Sequence, residues 1–196
     1  MATKKVYMLA TEGFADWEPA HALAEVRRHG HYDVRVVGLT LEPIRSMGGL
    51  CVQPDTTIAD VDPDDVAIFI VPGGNRWETQ PHDAALVAFL TVLDARGVPI
   101  AAICAATTVI AGAGLLRGRQ HTSNGLEYLT HHAAGYMGSA EYVDAPAVRD
   151  RGLITASGLG DVEFAREVMA ELGVLSDKGR AVWSEMFRSA KIPRGS

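Results

Sequence analysis

Two stretches of the 196-residue chain leave almost no room for a polar side chain, Val66–Val71 (VAIFIV) and Val98–Ile103 (VPIAAI). A strand with one face in water alternates apolar and polar residues, so uninterrupted runs like these must be buried on both faces. The first run passes directly into Pro72-Gly73-Gly74 and the second into Cys104. Lys5–Ala10 (KVYMLA) and Val34–Leu39 (VRVVGL) read as further strands. Helical patterns lie between them. One opens at Glu18-Pro19 and runs through Ala22, Leu23 and Val26 to His29-Gly30, with Pro19 and Gly30 where a helix tolerates them at its start and end. A second spans Asp83–Ala95 on the spacing of Leu86, Val87, Leu90 and Leu93, and others follow at Ala105–Leu116, Val162–Leu172 and Asp177–Ala190. Cys51–Thr57 and Glu141–Ile154 read as short strands with turns, antiparallel additions to the sheet. Buried strands alternating with helices predict an α/β fold, a doubly wound, mostly parallel sheet with helices on both faces. Residues 1–190 read as a single domain without repeats, low-complexity segments or a linker, and 191–196 as a tail, because IPRGS looks like the remnant of a thrombin-type cleavage site.

Composition narrows the function. A hydrophobic content of 47% with 21% charged residues is that of a soluble globular chain. The formal net charge of -6, with lysines and arginines scattered rather than clustered, argues against nucleic-acid or anionic-membrane partners. The apolar run near the N-terminus stops at Thr11, short of a signal-peptide core, and no run approaches the roughly 20 residues of a membrane helix. Two cysteines, Cys51 and Cys104, make no disulfide framework, which points to a reducing cytoplasm.

In an open parallel sheet, reactive groups collect at the carboxyl ends of the strands. Three segments distant in sequence fall there: Thr11–Pro19, Pro72–Trp77 and Cys104. Cys104 stands between a strand and a helix among alanines, the form of a nucleophile elbow, where small neighbours avoid clashes and a helix N-terminus favours the thiolate. The other reading makes it a core-filling thiol. Gly73-Gly74 is either a simple turn or the source of a backbone N–H that forms an oxyanion hole with that of Ala105. Of the acids in TEGFADWEP, Glu12, Asp16 and Glu18, at least one caps the helix, and Glu18 is the best placed to exchange a proton with a cysteine. Adjacent His131 and His132 point about 100° apart on a helix and make a poor metal pair. Neither a metal nor a cofactor is expected.

AAICAA around Cys104, VPGGN at Val71–Asn75 and GFADWEP ending in Glu18 together resemble the ThiJ/PfpI family, which has the flavodoxin-like, class I glutamine amidotransferase-like fold and includes the parkinsonism-associated protein. SMGGL at Ser46–Leu50, HTSNGLEYL at His121–Leu129 and TASGLGDVEFA at Thr155–Ala165 extend the resemblance nearly end to end, toward a bacterial branch. The resemblance implies Cys104 as the reactive thiol, Glu18 as the carboxyl hydrogen-bonded to it, Gly74 and Ala105 as oxyanion donors, and a homodimer with Asp16 close to the site. Trp17, Asn75, Trp77 and Asn124 are candidates for the pocket wall. Family proteases carry a histidine immediately after the cysteine, where this chain has Ala105; the parkinsonism-associated branch carries one about twenty residues on, at the position of Asn124. Of the nearby histidines only His121 is placed to stand in. Without a histidine base, peptidase and amidotransferase chemistry lose support. What remains is a cysteine-dependent hydrolase or lyase acting on a small electrophile, of the glyoxalase III or isonitrile hydratase type. The alternatives are a redox or stress-response protein whose Cys104 is oxidised to sulfinic acid, a glutamine amidotransferase-like or peptidase-like protein without a conventional histidine, and a binding or scaffold dimer that keeps the fold without the chemistry.

Overall fold

The computed structural model describes residues 4–80 and 82–192; Pro193–Ser196, most of the expected tail, lie outside the described residues. The chain forms β1 (Lys5–Leu9), α1 (Trp17–Arg28), β2 (Val34–Gly38), β3 (Ile44–Arg45), β4 (Cys51–Val52), β5 (Thr56–Thr57), β6 (Val66–Val71), α2 (Arg76–Thr79), α3 (Ala84–Ala95), β7 (Ile100–Ile103), α4 (Thr107–Gly112), α5 (Leu126–His132), β8 (Ala147–Asp150), β9 (Leu153–Ala156), α6 (Asp161–Glu171) and α7 (Asp177–Ser189). Seven strands form one sheet in the order β5-β2-β1-β6-β7-β9-β8. All neighbours are parallel except the terminal β8–β9 pair, and β3–β4 form a separate two-stranded hairpin. This is the flavodoxin-like, doubly wound architecture expected from the apolar runs.

Strand alternation builds the two cores. Val6, Met8, Ile68, Ile70, Ala101 and Ile103 face α1, α6 and α7, where Ala22, Val26, Phe164, Val168 and Trp183 meet them. Their neighbours Tyr7, Leu9, Phe69, Val71, Ile100 and Ala102 face the opposite layer of α3, α4 and α5, against Leu86, Leu90, Leu93, Ile110 and Leu129. Both faces of every central strand are therefore covered, which is why the sequence runs lack polar residues.

The chain leaves β1 toward β2 on one side and later returns to place β6 on the other. Loops leaving these neighbouring strands diverge and open a crevice at their carboxyl ends. Three predicted elements differ in detail. Cys51–Thr57 is not an antiparallel addition: β5 joins the sheet in parallel with β2, and β4 pairs with β3 outside it. The helix expected over Ala105–Leu116 begins as a 3-10 turn at Cys104–Ala106, and its α-helical part ends at Gly112, before the left-handed Gly114. The strand expected to end at Ile154 continues to Ala156, pairing in parallel with β7 on one side and antiparallel with β8 on the other. Phe164 is fully buried between α6 and the sheet. Phe164→Ala is expected to cost about 3–5 kcal/mol, read as a lower urea midpoint with an unchanged slope.

Candidate active site

Four adjacent strands, β1, β6, β7 and β9, deliver the site from their carboxyl ends. From β7 the chain enters Cys104 with φ +59, a left-handed conformation that a non-glycine residue rarely adopts and that costs roughly 1–3 kcal/mol. Local hydroxyls hold the turn: Thr107 Oγ1 donates to the Cys104 carbonyl at 2.7 Å and Thr108 Oγ1 to the Ala105 carbonyl at 2.7 Å. A hydroxyl has one proton, so the 2.7 Å contact between Thr107 and Ser123 runs from Ser123 Oγ to Thr107 Oγ1, pinning the segment before α5 onto the elbow.

Glu18 enters from the first turn of α1 and is 0% exposed. Its Oε2 accepts a 2.5 Å bond from the Gly73 N–H, at the end of β6. Its Oε1 is buried and faces the Cys104 thiol without closing a well-formed hydrogen bond. Burial pushes the Glu18 carboxyl up to about 7, with Asp161 adding to the rise, while the thiol and the Gly73 N–H oppose it. Burial, then the Glu18 charge, pushes the Cys104 thiol up to about 11, against the lowering by Asn124 and by the Ala105 N–H. The thiol is therefore raised rather than depressed as the sequence reading expects: burial and the neighbouring carboxylate outweigh the Asn124 amide and the Ala105 N–H at the start of the turn. Cysteine and glutamate titrate as one unit, and moving a proton from Sγ to Glu18 yields a thiolate beside a neutral acid with no change in buried charge.

Asn124 completes the shell around the sulfur. Its Nδ2 donates to Cys104 Sγ at 3.2 Å, and its Oδ1 accepts from the Gly158 N–H at 2.9 Å, which fixes the orientation of the amide. Two glycines make space for the pair. A Cβ on Gly73 would lie 2.7 Å from Glu18 Oε2 and 2.8 Å from Cys104 Cβ; one on Gly158 would lie 2.8 Å from Sγ. Tyr128, on α5, donates to Glu78 Oε1 at 2.7 Å, and burial and that carboxylate hold its phenol well above the usual range. Gly158 and Tyr128 escape the sequence reading, although the strand-end rule applied to the full length of β9 points to Gly158.

Of the remaining predicted residues, Ala105 reaches the sulfur and the others lie around it. Asp16 Oδ2 accepts from the Gly48 N–H at 2.6 Å, and the Ser46 hydroxyl lowers its pKa, so its carboxylate secures the turn between β3 and β4. Trp17, 47% exposed, donates its indole N–H to the Gly158 carbonyl at 3.2 Å. Trp77 is buried and its indole N–H holds the Pro72 carbonyl at 2.9 Å, while Asn75 is exposed at the start of α2. His121 does not stand in for a histidine base. It is 0% exposed, its Nδ1 bonds the Arg119 carbonyl at 2.7 Å and its Nε2 meets Tyr136 Oη at 2.5 Å. A carbonyl only accepts, so Nδ1 carries the proton and Nε2 accepts from the tyrosine. The Gly74 N–H donates to no backbone carbonyl among the described residues, whereas the Ala105 N–H is directed at the sulfur. Among the described residues no three His, Cys, Asp or Glu side chains converge as a ligand set for a metal ion.

A cysteine on a left-handed strand-to-helix turn, paired with a buried glutamate at the switch of a doubly wound sheet, defines the nucleophile-elbow class of α/β proteins. Within that class, the chain belongs to the DJ-1/PfpI family, whose model matches residues 4–171. The chain is similar to an uncharacterized protease, YoaZ, of Bacillus subtilis, with 34% identity covering 97% of this chain and 94% of the relative. It is also similar to a deglycase of Thermococcus kodakarensis, with 30% identity covering 81% and 92%. A DJ-1 superfamily protein of Agrobacterium tumefaciens superposes with a TM-score of 0.88 at 32% identity, covering 96% of this chain and all (100%) of that one.

The buried carboxyl also sets a pH dependence of stability. The folded-state value of about 7 lies above the ordinary glutamate value of 4.5, so ionising Glu18 opposes folding increasingly from pH 4.5 to 7. Glu18→Gln is expected to stabilise the protein by about 1–3 kcal/mol above pH 7, with the gain vanishing below pH 4.5, in urea titrations across pH.

Proposed function

We propose that the protein is a cysteine-dependent hydrolase or lyase acting on a small carbonyl electrophile, with Cys104 as nucleophile and Glu18 as proton carrier. The observation that carries this reading is the buried Glu18 carboxyl, held on one oxygen by Gly73 and turned with the other to the Cys104 thiol. Amide or peptide hydrolysis needs a base that can also protonate an amine leaving group, a task usually given to histidine. His121 has both ring nitrogens engaged, and Asn124, at the position of the family histidine, does not accept a proton. Addition to an aldehyde has no leaving group to protonate. The deglycase name carried by a relative agrees with carbonyl chemistry.

For an α-oxo aldehyde the steps balance as follows. The thiol proton moves to Glu18 as sulfur bonds the aldehyde carbon, and the proton then passes to the new alkoxide, giving a neutral hemithioacetal and a carboxylate. Glu18 next removes the proton from the former aldehyde carbon, giving an enediol as the neighbouring ketone oxygen takes up a proton. It then returns a proton to the adjacent carbon while the hydroxyl on the sulfur-bearing carbon loses its own. The net shift of one C–H and one O–H proton produces a hydroxyacyl thioester. Water cleaves the thioester to a 2-hydroxy acid and the free thiol. In this scheme the Gly74 and Ala105 N–H groups receive the developing oxyanion, and Asn124 steadies the sulfur. A small-molecule substrate and a homodimer belong to the same reading, the latter checked by light scattering.

The scheme requires one proton on the Cys104–Glu18 pair. Turnover of methylglyoxal, as kcat/KM, is therefore expected to rise through about pH 7 as the first proton leaves and to fall toward about pH 11 as the second does. Cys104→Ser is expected to abolish turnover, and Glu18→Gln to lower kcat by about 10²–10⁴-fold while leaving Cys104 open to alkylation. Equal rates in wild type and Cys104→Ser would remove the cysteine from the mechanism.

A further inference from the structure

An open cleft of about 540 Å³ is lined by Ser123, Asn124, Tyr142, Asp144, Ser157 and Leu159, among others. Two of its walls are the segments that touch Cys104. Asn124 in the first donates to Sγ, and Gly158, between Ser157 and Leu159 in the second, is the residue whose Cβ would strike Sγ. The cleft thus shares Asn124 with the shell around the sulfur, although Cys104 itself does not line it.

Its walls are braced. The Thr122 hydroxyl donates to the Ala145 carbonyl at 2.8 Å, His121 bridges to Tyr142, and the Val143 N–H donates to the His121 carbonyl at 2.8 Å. The space therefore exists before any ligand arrives, which reduces the ordering cost of binding. No lysine, arginine or histidine lines it. Its single charge is the exposed Asp144 carboxylate, which forms no ion pair among the described residues. The other polar groups are hydroxyls and amides, and the exposed Leu159 forms an apolar lip.

We propose that this cleft holds the non-reacting end of the substrate and selects for a cationic, ammonium-bearing extension on the electrophile, against an anionic one. Nothing in the lining neutralises a carboxylate or phosphate tail, and Asp144 would repel it; an ammonium tail finds a counter-charge, with hydroxyls beside it. The inference rests on the proposed reactivity of Cys104 for its catalytic meaning, but the selectivity of the cleft is measurable without turnover.

Three methanethiosulfonates, with trimethylammonioethyl, methyl and sulfonatoethyl tails, serve as probes on a Cys51→Ser background. Each transfers its RS group to Cys104 and releases methanesulfinate. After division by the rate of each reagent with a free thiol, the ammonium probe is expected to label Cys104 about fivefold or more faster than the sulfonate probe. Asp144→Asn is expected to shrink that ratio, and Asp144→Lys to reverse it. Because the buried Glu18 charge attracts cations in every variant, an unchanged ratio in Asp144→Lys would overturn the assignment of the cleft. Methylglyoxal turnover by the wild type, measured in parallel, reports separately on the carbonyl reading: its absence beside a charge-selective cleft would fault the reaction and leave the cleft standing.

Discussion

The hydrogen bond from the Gly73 N–H to the buried Glu18 carboxyl joins the ends of the two strands at which the sheet changes direction. It is short because Gly73 has no side chain; any Cβ there would overlap both the carboxyl and the cysteine. It also leaves the second carboxyl oxygen with the thiol alone to face. Elements around it follow from these two requirements. Helix α1 must start immediately after the loop from β1 so that Glu18 points inward, and β6 must end in glycine so that its backbone approaches. Cys104 must be tipped into the left-handed region so that its sulfur meets the carboxyl rather than continuing the line of β7.

Such a centre is unfavourable in isolation. A carboxyl group without water, a left-handed cysteine and a thiol beside a negative charge each raise the energy of the folded chain. Two cores, one on each side of the sheet, hold the arrangement by brute burial, with Phe69 and Phe164 fully enclosed on opposite faces. The site lies at the sheet edge between them, and Cys104 packs against both. The cysteine and carboxyl of the site are held by the fold rather than stabilising it.

Much of this was legible in the sequence, for identifiable reasons. The runs VAIFIV and VPIAAI announced strands buried on both faces, and the strand-end rule then located Cys104, Glu18 and Gly73–Gly74 without coordinates. Asn124 was marked by the family pattern; its contact with sulfur depends on Ser123 and Thr107, whose pairing across sixteen residues has no sequence signature. Gly158 was hidden by a boundary. A strand read as ending at Ile154 puts its reactive edge two residues too early, and a glycine contributes through backbone and empty space rather than through chemistry visible in its side chain. Trp77 and His121 illustrate the opposite error: polar aromatic residues near a site satisfy their N–H groups on local carbonyls and belong to the framework.

The backbone of Gly158 carries one more meaning. Its carbonyl takes the Trp17 indole from α1 and its N–H holds the Asn124 amide from the segment before α5. Trp17 adjoins Glu18 in the chain, so the carboxyl on one side of the sulfur and the amide on the other hang from a common crosspiece. Acid and donor are tied to one residue, through the two successive peptide planes that meet at the Gly158 Cα. Diversification of this site is therefore easier along the cleft, whose outer residues bear on neither, than at the two groups that grip the sulfur.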